Sequence, residues 1–142
     1  TFDIRATVEN VGDGVLGRYP FAEITVNGPT KIEANANRRI SEALEELLEN
    51  GIIHTNSQTP TIAVRILRRD DSVAIEIEDG EPAIPETERK ILTGETDLSP
   101  LNHHEGMGLW LVQLIVNKSD GALDFAVTEE GGNIVTVRLQ QP

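Results

Sequence analysis

The chain of 142 residues contains no cysteine, which excludes both a disulfide framework and a thiolate zinc site. It contains no apolar run near the ~18 residues that a membrane-spanning helix needs. Its first residues lack the charged-then-apolar pattern of a secretory signal. No linker, repeat or low-complexity segment divides it. These absences together describe one soluble, intracellular domain over residues 1–142, long enough to bury a real core. No initiator methionine stands at Thr1, so the expectation is a domain cut from a longer protein.

Lysine is also scarce, with Lys31, Lys90 and Lys118 set against nine arginines, and the formal net charge is −12. Such a surface repels phosphate backbones, whose binding needs clustered Lys and Arg, so nucleic acid is excluded as a partner. An acidic, lysine-poor composition also suits a protein kept soluble in concentrated salt. The plainer reading is an ordinary acidic domain with solvated charges.

What is present reads as mixed helix and strand. Residues 3–16 form an imperfect helical pattern with Asp3 as a candidate cap. Short strand-like pieces follow around AEITV and KIEA, separated by the turn signal NGPT. The strongest helical pattern runs from Asn37 to about His54, where Ile40, Ala43, Leu44, Leu47, Leu48 and Gly51 recur at core-facing spacing. TIAVRILR and SVAIEIED alternate at period two around RRDD, a hairpin signature. A loop-rich segment with a short helical candidate near residues 86–92 leads into the apolar helix MGLWLVQLIV, and the strands ALDFAV and NIVTVRL close the chain. Three connections resemble hairpins, and strict βαβ alternation is absent. The fold class is therefore α+β, a two-layer sandwich of a mixed sheet with helices on one face. In it, Val73, Ile75 and Ile77 face the helices, while Glu76 and Glu78 face water.

Three features depart from this pattern. Asp79 shares the parity of Val73, Ile75 and Ile77, so a carboxylate enters the apolar layer and needs a donor there. It either caps the turn at Gly80 or receives the donor from a ligand, and an adenine amino group would suit it. Asn50 follows Glu46 by one helical turn along the edge of the leucine stripe. It is either a satisfied polar residue or, facing a cleft, an oxygen ligand of the kind Mg²⁺ takes. His54, a further turn on, falls towards the stripe and reads as packed. The loop NHHEGMGLWLV places two glycines before an apolar helix, a geometry that lets backbone amides approach an anion. It is neither a dinucleotide fingerprint, since Leu111 replaces the third glycine, nor a P-loop, since no Lys follows. His103 and His104 lack a third ligand at metal-site spacing and read as polar loop residues.

Taken in order, these features resemble the ATP-binding domain of sensor histidine kinases, a fold shared with gyrase, a heat-shock chaperone and mismatch-repair ATPases (the Bergerat-type fold). LEELLENGIIHT resembles the family's asparagine box, IEIEDGEPAIPETERKIL its first glycine box, and EGMGLWLVQLIVNKSDGALDF its second. The resemblance implies Mg²⁺ held by Asn50, adenine read by Asp79, apolar contacts from Ile84 and Leu109, and phosphates met by amides at Gly106 and Gly108. Glu46 would orient a nucleophile or a metal-bound water. It further implies an ATP-dependent protein-histidine kinase of two-component signal transduction in the cytoplasm. The γ-phosphoryl group of ATP would pass to a histidine on a separate dimerisation domain and onward to a response regulator. No membrane contact by this domain is implied.

The boxes are not intact. Glu81 and Ala83 replace two expected glycines, His104 stands where a glycine often begins the phosphate loop, and Ile53 replaces a phosphate-contacting lysine. Glu46 stands where histidine kinases commonly carry another asparagine, and Leu92 replaces the usual phenylalanine of the lid. Two other readings follow: a degenerate, non-catalytic signalling module, and an ATP hydrolase in which Glu46 is the general base. The composition yields a prediction of its own. Carboxylate self-repulsion grows as salt falls below ~0.1 M, where the Debye length reaches about 10 Å. The melting temperature should rise with added potassium chloride; a salt-independent value would refute the halophilic reading.

Overall fold

The computed structural model describes residues 1–53, 59–79, 107–127 and 132–142, with backbone alone for residues 107–109. The elements in chain order are β1 (Phe2–Asp3), α1 (Ile4–Arg18), β2 (Glu23–Asn27), β3 (Glu33–Ala34) and α2 (Ile40–Ile53). They continue with β4 (Thr61–Arg69), β5 (Ser72–Asp79), α3 (Met107–Lys118), β6 (Ala122–Val127) and β7 (Asn133–Gln140). The helical candidate near residues 86–92 lies outside the described residues. None of the described helices is long and apolar enough to cross a membrane.

Alternation within each strand separates two faces. On one lie Ile62, Val64, Ile66, Val73, Ile75, Ile77, Val135, Val137 and Leu139, all buried. The helices cover that face with Ile4, Val8, Val11 and Val15 of α1, the stripe of α2, and Val112, Ile115 and Val116 of α3. All six expected stripe positions of α2 are buried, and Ile52 joins them. Burying a Val, Leu or Ile side chain contributes about 1.5–3 kcal/mol, so this shared layer is the main source of stability. The architecture is the expected α+β sandwich, its five-stranded sheet ordered β2-β4-β5-β7-β6.

Four details differ from expectation. The pieces flanking NGPT do not form a hairpin: β2 pairs in parallel with β4, and β3 pairs instead with β1 in a separate two-stranded sheet. Parallel neighbours need a crossover, and α2, lying between β2 and β4 in the chain, supplies it. KIEA contributes only two strand residues, Glu33 and Ala34, and buries Ile32 and Ala34 in the core. Helix α2 begins at Ile40 rather than Asn37. The Asn37 side-chain oxygen accepts from Arg39 N at 2.9 Å, so residues 37–39 make a capping turn. Finally, Glu76 and Glu78 lie on the outer face but are not left to water alone. Arg65 donates to both, at 3.0 and 2.9 Å.

Polar ties fix the helix ends. Asp3 caps α1, accepting from Ala6 N at 3.3 Å, as its position before the first helix suggests. The buried Ser119 hydroxyl accepts from Asn37 N at 2.8 Å and donates to the Ile115 carbonyl at 2.8 Å. It clasps the end of α3 to the start of α2. The two helices pack together and run antiparallel from this clasp, so the first turn of α3 lies at the same end of the sandwich as the last turn of α2. There the chain carries its unusual polar residues.

Candidate functional site

Asp79 closes β5. Its in-register neighbours are Ile62 on β4 and Asn133 on β7, and Asn133 in turn faces Val127 on β6. Directly paired residues share a face, so the row Ile62–Asp79–Asn133–Val127 lies on the helix-covered side. An acid and an amide thus sit between two aliphatic side chains at the margin of the core. Asn133 is 3% exposed, and its Nδ2 donates to Asp79 Oδ1 at 2.9 Å. Part of the carboxylate's demand for donors is met in this way. Asn133 had a signal of its own: it shares parity with Val135, Val137 and Leu139, the argument that singles out Asp79 on β5. At the head of the expected strand NIVTVRL, it was not among the expected site residues.

Against this row packs the last turn of α2. Gly51 is helical, and in such a place glycine costs roughly 0.5–1 kcal/mol relative to alanine. The reason for glycine is proximity. A Cβ at position 51 would lie 2.9 Å from Ile62 Cδ1, 3.3 Å from Asp79 Cβ and 3.4 Å from Asp79 Oδ2. The absent methyl lets α2 sit directly on the Asp79 end of the sheet. It also brings Asn50, the preceding residue, to the rim of the same place.

Among the described residues, the buried amide nitrogen of Asn50 has no hydrogen-bond partner. Unsatisfied buried amides are uncommon and costly, at about 1–3 kcal/mol. A half-turn about χ2 exchanges the amide's ends and presents its oxygen instead, so an external donor, acceptor or cation could complete it. One turn back along α2, Glu46 is half-buried and makes no ion pair among the described residues, while Arg18 of α1 takes up both neighbouring acids, Glu45 and Glu49. The Glu46 carboxyl is held above its ordinary pKa, chiefly by burial and then by the negative charges of Glu49 and Glu45. A proton-accepting group with raised basicity thus stands next to an orphaned amide.

Of the other expected site residues, Gly108 and Leu109 fall in the first turn of α3. That turn, by the clasp at Ser119, lies at the Asp79 end, with the free amides that begin every helix. Ile84, Gly106, His54, His103, His104 and Leu92 lie outside the described residues. Ile53, in the place of the expected lysine, is 56% exposed.

Residues 35–142 match the model of a family described as histidine kinase-, DNA gyrase B- and HSP90-like ATPases. The chain belongs to that family. Among curated proteins none matches its sequence. Several solved structures of this ATPase fold match it along almost its whole length. The mycobacterial sensor histidine kinase MprB superposes with a TM-score of 0.79 at 21% identity, over 99% of this chain and 95% of that one. The histidine kinase domain of the E. coli osmosensor EnvZ gives 0.72 at 25% identity, over 99% and 88%. The ATP-binding domain of PrrB from Mycobacterium tuberculosis gives 0.75 at 16%, over 99% and 96%. An ATPase of this family binds adenine nucleotide with a divalent cation. The residues present fit both groups: Asp79 offers an acceptor, Asn50 an orphaned amide, and Gly51 a close approach that a side chain would fill.

Two predictions test this geometry. Gly51→Ala should lower the denaturant midpoint, although helix propensity alone favours alanine by about 1 kcal/mol. Crowding Ile62 and Asp79 costs about 1–3 kcal/mol, and a more stable variant would contradict the close approach. For Glu46, a pKa raised by folding means that the fold favours the protonated acid. The stability so provided is present in acid and lost as pH rises through the raised value. Glu46→Gln should therefore melt above the parent at pH 7–8, and the difference should vanish below about 4.3, the ordinary glutamate value. An equal effect at all pH values would show that the charge of Glu46 is not strained.

Proposed function

We propose that this domain binds Mg²⁺-ATP and transfers its γ-phosphoryl group to a histidine on a separate dimerisation domain of its parent protein, which then passes it to a response regulator. The observation that carries the reading is the convergence of Asp79, Gly51 and Asn50 at one end of the core in a chain of this ATPase family. Asp79 accepts a hydrogen from the adenine amino group; guanine presents an oxygen there and is rejected. Ile84 and Leu109 give the base or its lid apolar contact. Backbone amides near Gly106 and Gly108, at the start of α3, meet the phosphates.

Among the described residues no group of three His, Asp or Glu could cage a metal ion. Asn50 would be the protein's ligand, with phosphate and water oxygens supplying the rest. Held by Asn50, magnesium would supply positive charge that offsets the charge building up as the phosphoryl group leaves. Glu46 would orient the attacking nucleophile or a water on the metal. None of the chain's three histidines, His54, His103 and His104, is assigned as acceptor, and the partner domain supplies it. The acidic, lysine-poor composition supports work in concentrated salt, where the assays belong.

A second reading, ATP hydrolysis, is favoured by Glu46 itself. A half-buried carboxylate of raised basicity, without an ion pair among the described residues and one turn before Asn50, suits a general base for water.

Titration with a non-hydrolysable ATP analogue should show that Asn50→Ala weakens binding much more with Mg²⁺ present than with the metal chelated. Equal losses would remove Asn50 from the metal. Incubated with Mg²⁺-ATP, the isolated chain should gain no acid-labile phosphate, while an added dimerisation domain becomes labelled on histidine. Steady phosphate release without labelling would favour the hydrolase. Nucleotide binding with neither product would leave a non-catalytic signalling module.

A further inference from the structure

We propose that the end of the sandwich opposite Asp79 carries an oxyanion site, where Arg68 and Lys31 together hold a phosphate monoester dianion. Arg68 pairs with Val73, which pairs with Leu139, and direct partners share a face. Arg68 therefore continues the inward series Ile62, Val64 and Ile66 of β4 past the edge of the core. Six residue steps of β5 separate Val73 from Asp79, about 20 Å at the rise of a strand. The site is thus distinct from the one described above and does not rest on its nucleotide reading.

A cavity of about 430 Å³ lies here, lined by Lys31, Ile32, Glu33, Arg68, Gln141 and Pro142, a volume in the range of small-molecule sites. Its backbone is fixed. Ile32 is buried, and its carbonyl accepts from Ile4 N at 2.7 Å. Gln141 is tied at three points. Its N donates to the Asp71 carbonyl at 3.1 Å, its Nε2 donates to the Arg69 carbonyl at 3.1 Å, and its carbonyl accepts from Asn35 Nδ2 at 3.4 Å. Arg68 stands in the ladder of β4 on β5.

The two cationic heads, by contrast, are uncommitted. In a chain with twice as many acids as bases, Arg5, Arg18, Arg39, Arg65 and Arg138 each pair with a carboxylate. Arg68 pairs with none among the described residues, although Asp70 and Asp71 follow it closely in the chain. Lys31 reaches Glu33 at 3.9 Å, too far for a hydrogen bond. A guanidinium offers a planar fork of donors to two oxygens of one anion, and an ammonium adds a flexible point charge. Arg68 alone matches a monoanion and leaves Lys31 with Glu33. A dianion takes up both positive charges and draws Lys31 away from that acid. The Glu33 carboxylate therefore sets the selectivity, since it opposes any anion too weakly charged to win Lys31.

Titration of the isotopically labelled chain with methyl phosphate, followed by NMR, tests the site. It is run at about pH 8, above the second phosphate pKa of about 6, and at the lowest salt in which the chain melts cooperatively. The amide signals of Lys31, Glu33, Arg68 and Gln141 should shift and saturate, and those at the Asp79 end of the sheet should not. Arg68→Gln should weaken binding about tenfold, the scale of one hydrogen bond to a charged group. Arg69→Gln removes the same charge from the opposite face of β4 and should stay within about twofold of the parent. Methyl sulfate, a monoanion of the same shape, should bind about tenfold more weakly than methyl phosphate. Shifts that do not saturate, equal weakening by the two arginine variants, or equal binding of the two esters overturns the proposal. If Arg68→Gln does not melt cooperatively, Lys31→Gln takes its place, and an unchanged affinity there overturns the proposal equally.

Discussion

An acid set into an apolar layer must be met by donors and must not be crowded, and both demands fall on one corner of this fold. The first is met across the sheet, where Asn133 donates to Asp79. The second is met from above, where α2 presents a residue with no side chain. If either failed, Asp79 would turn towards water and the end of α2 would lift from the strands. The position of Asn50 depends on that contact, because it immediately precedes Gly51 on the same helix. A glycine that weakens the helix locally is thus what brings the polar residues of two elements together.

The opposite end of the sandwich serves the same arrangement at a distance. Ser119 joins the start of α2 to the end of α3 with one hydroxyl that both accepts and donates. With that end pinned, the two antiparallel helices lie side by side, and the start of α3 and the end of α2 lie at the same end of the sandwich. Arg18 draws Glu45 and Glu49 towards α1. Glu46 lies between them in sequence, and burial first, then the negative charges of Glu49 and Glu45, hold its proton more tightly than usual.

Much of this was legible in the chain. The stripe of α2 and the alternation of β4 and β5 are local patterns, and each settles which side of an element is buried. Parity alone placed Asp79 on the apolar side, and the membership of the ATPase family was carried by the spacing of the boxes. What escaped was non-local. Nothing in AEITV states that its partner is TIAVR, because parallel pairing is decided by the crossover helix rather than by a turn. The NGPT signal was a turn, but it led β3 to β1 instead of back to β2. Arg65 was invisible as the partner of Glu76 and Glu78 until the register of β4 on β5 was known. Asn133 obeyed the same parity as Asp79, yet a single amide at the head of a strand does not by itself mark a site. The close approach at Gly51 has no sequence signature beyond the glycine itself.

The sheet order has a consequence for synthesis. β7 follows every other described strand in the chain, yet it lies inside the sheet, between β5 and β6. Until it emerges, β5 has no partner on that side, and β6 has none at all within this sheet. A ribosome-bound chain halted before Asn133 would hold α2 and β5 without the amide that steadies Asp79. The corner that holds Asp79 and Asn133 is therefore completed by the latest of the described strands to dock. Fragments shortened from the C-terminal side into β7 would lose sheet integrity and the acid–amide pair in the same step.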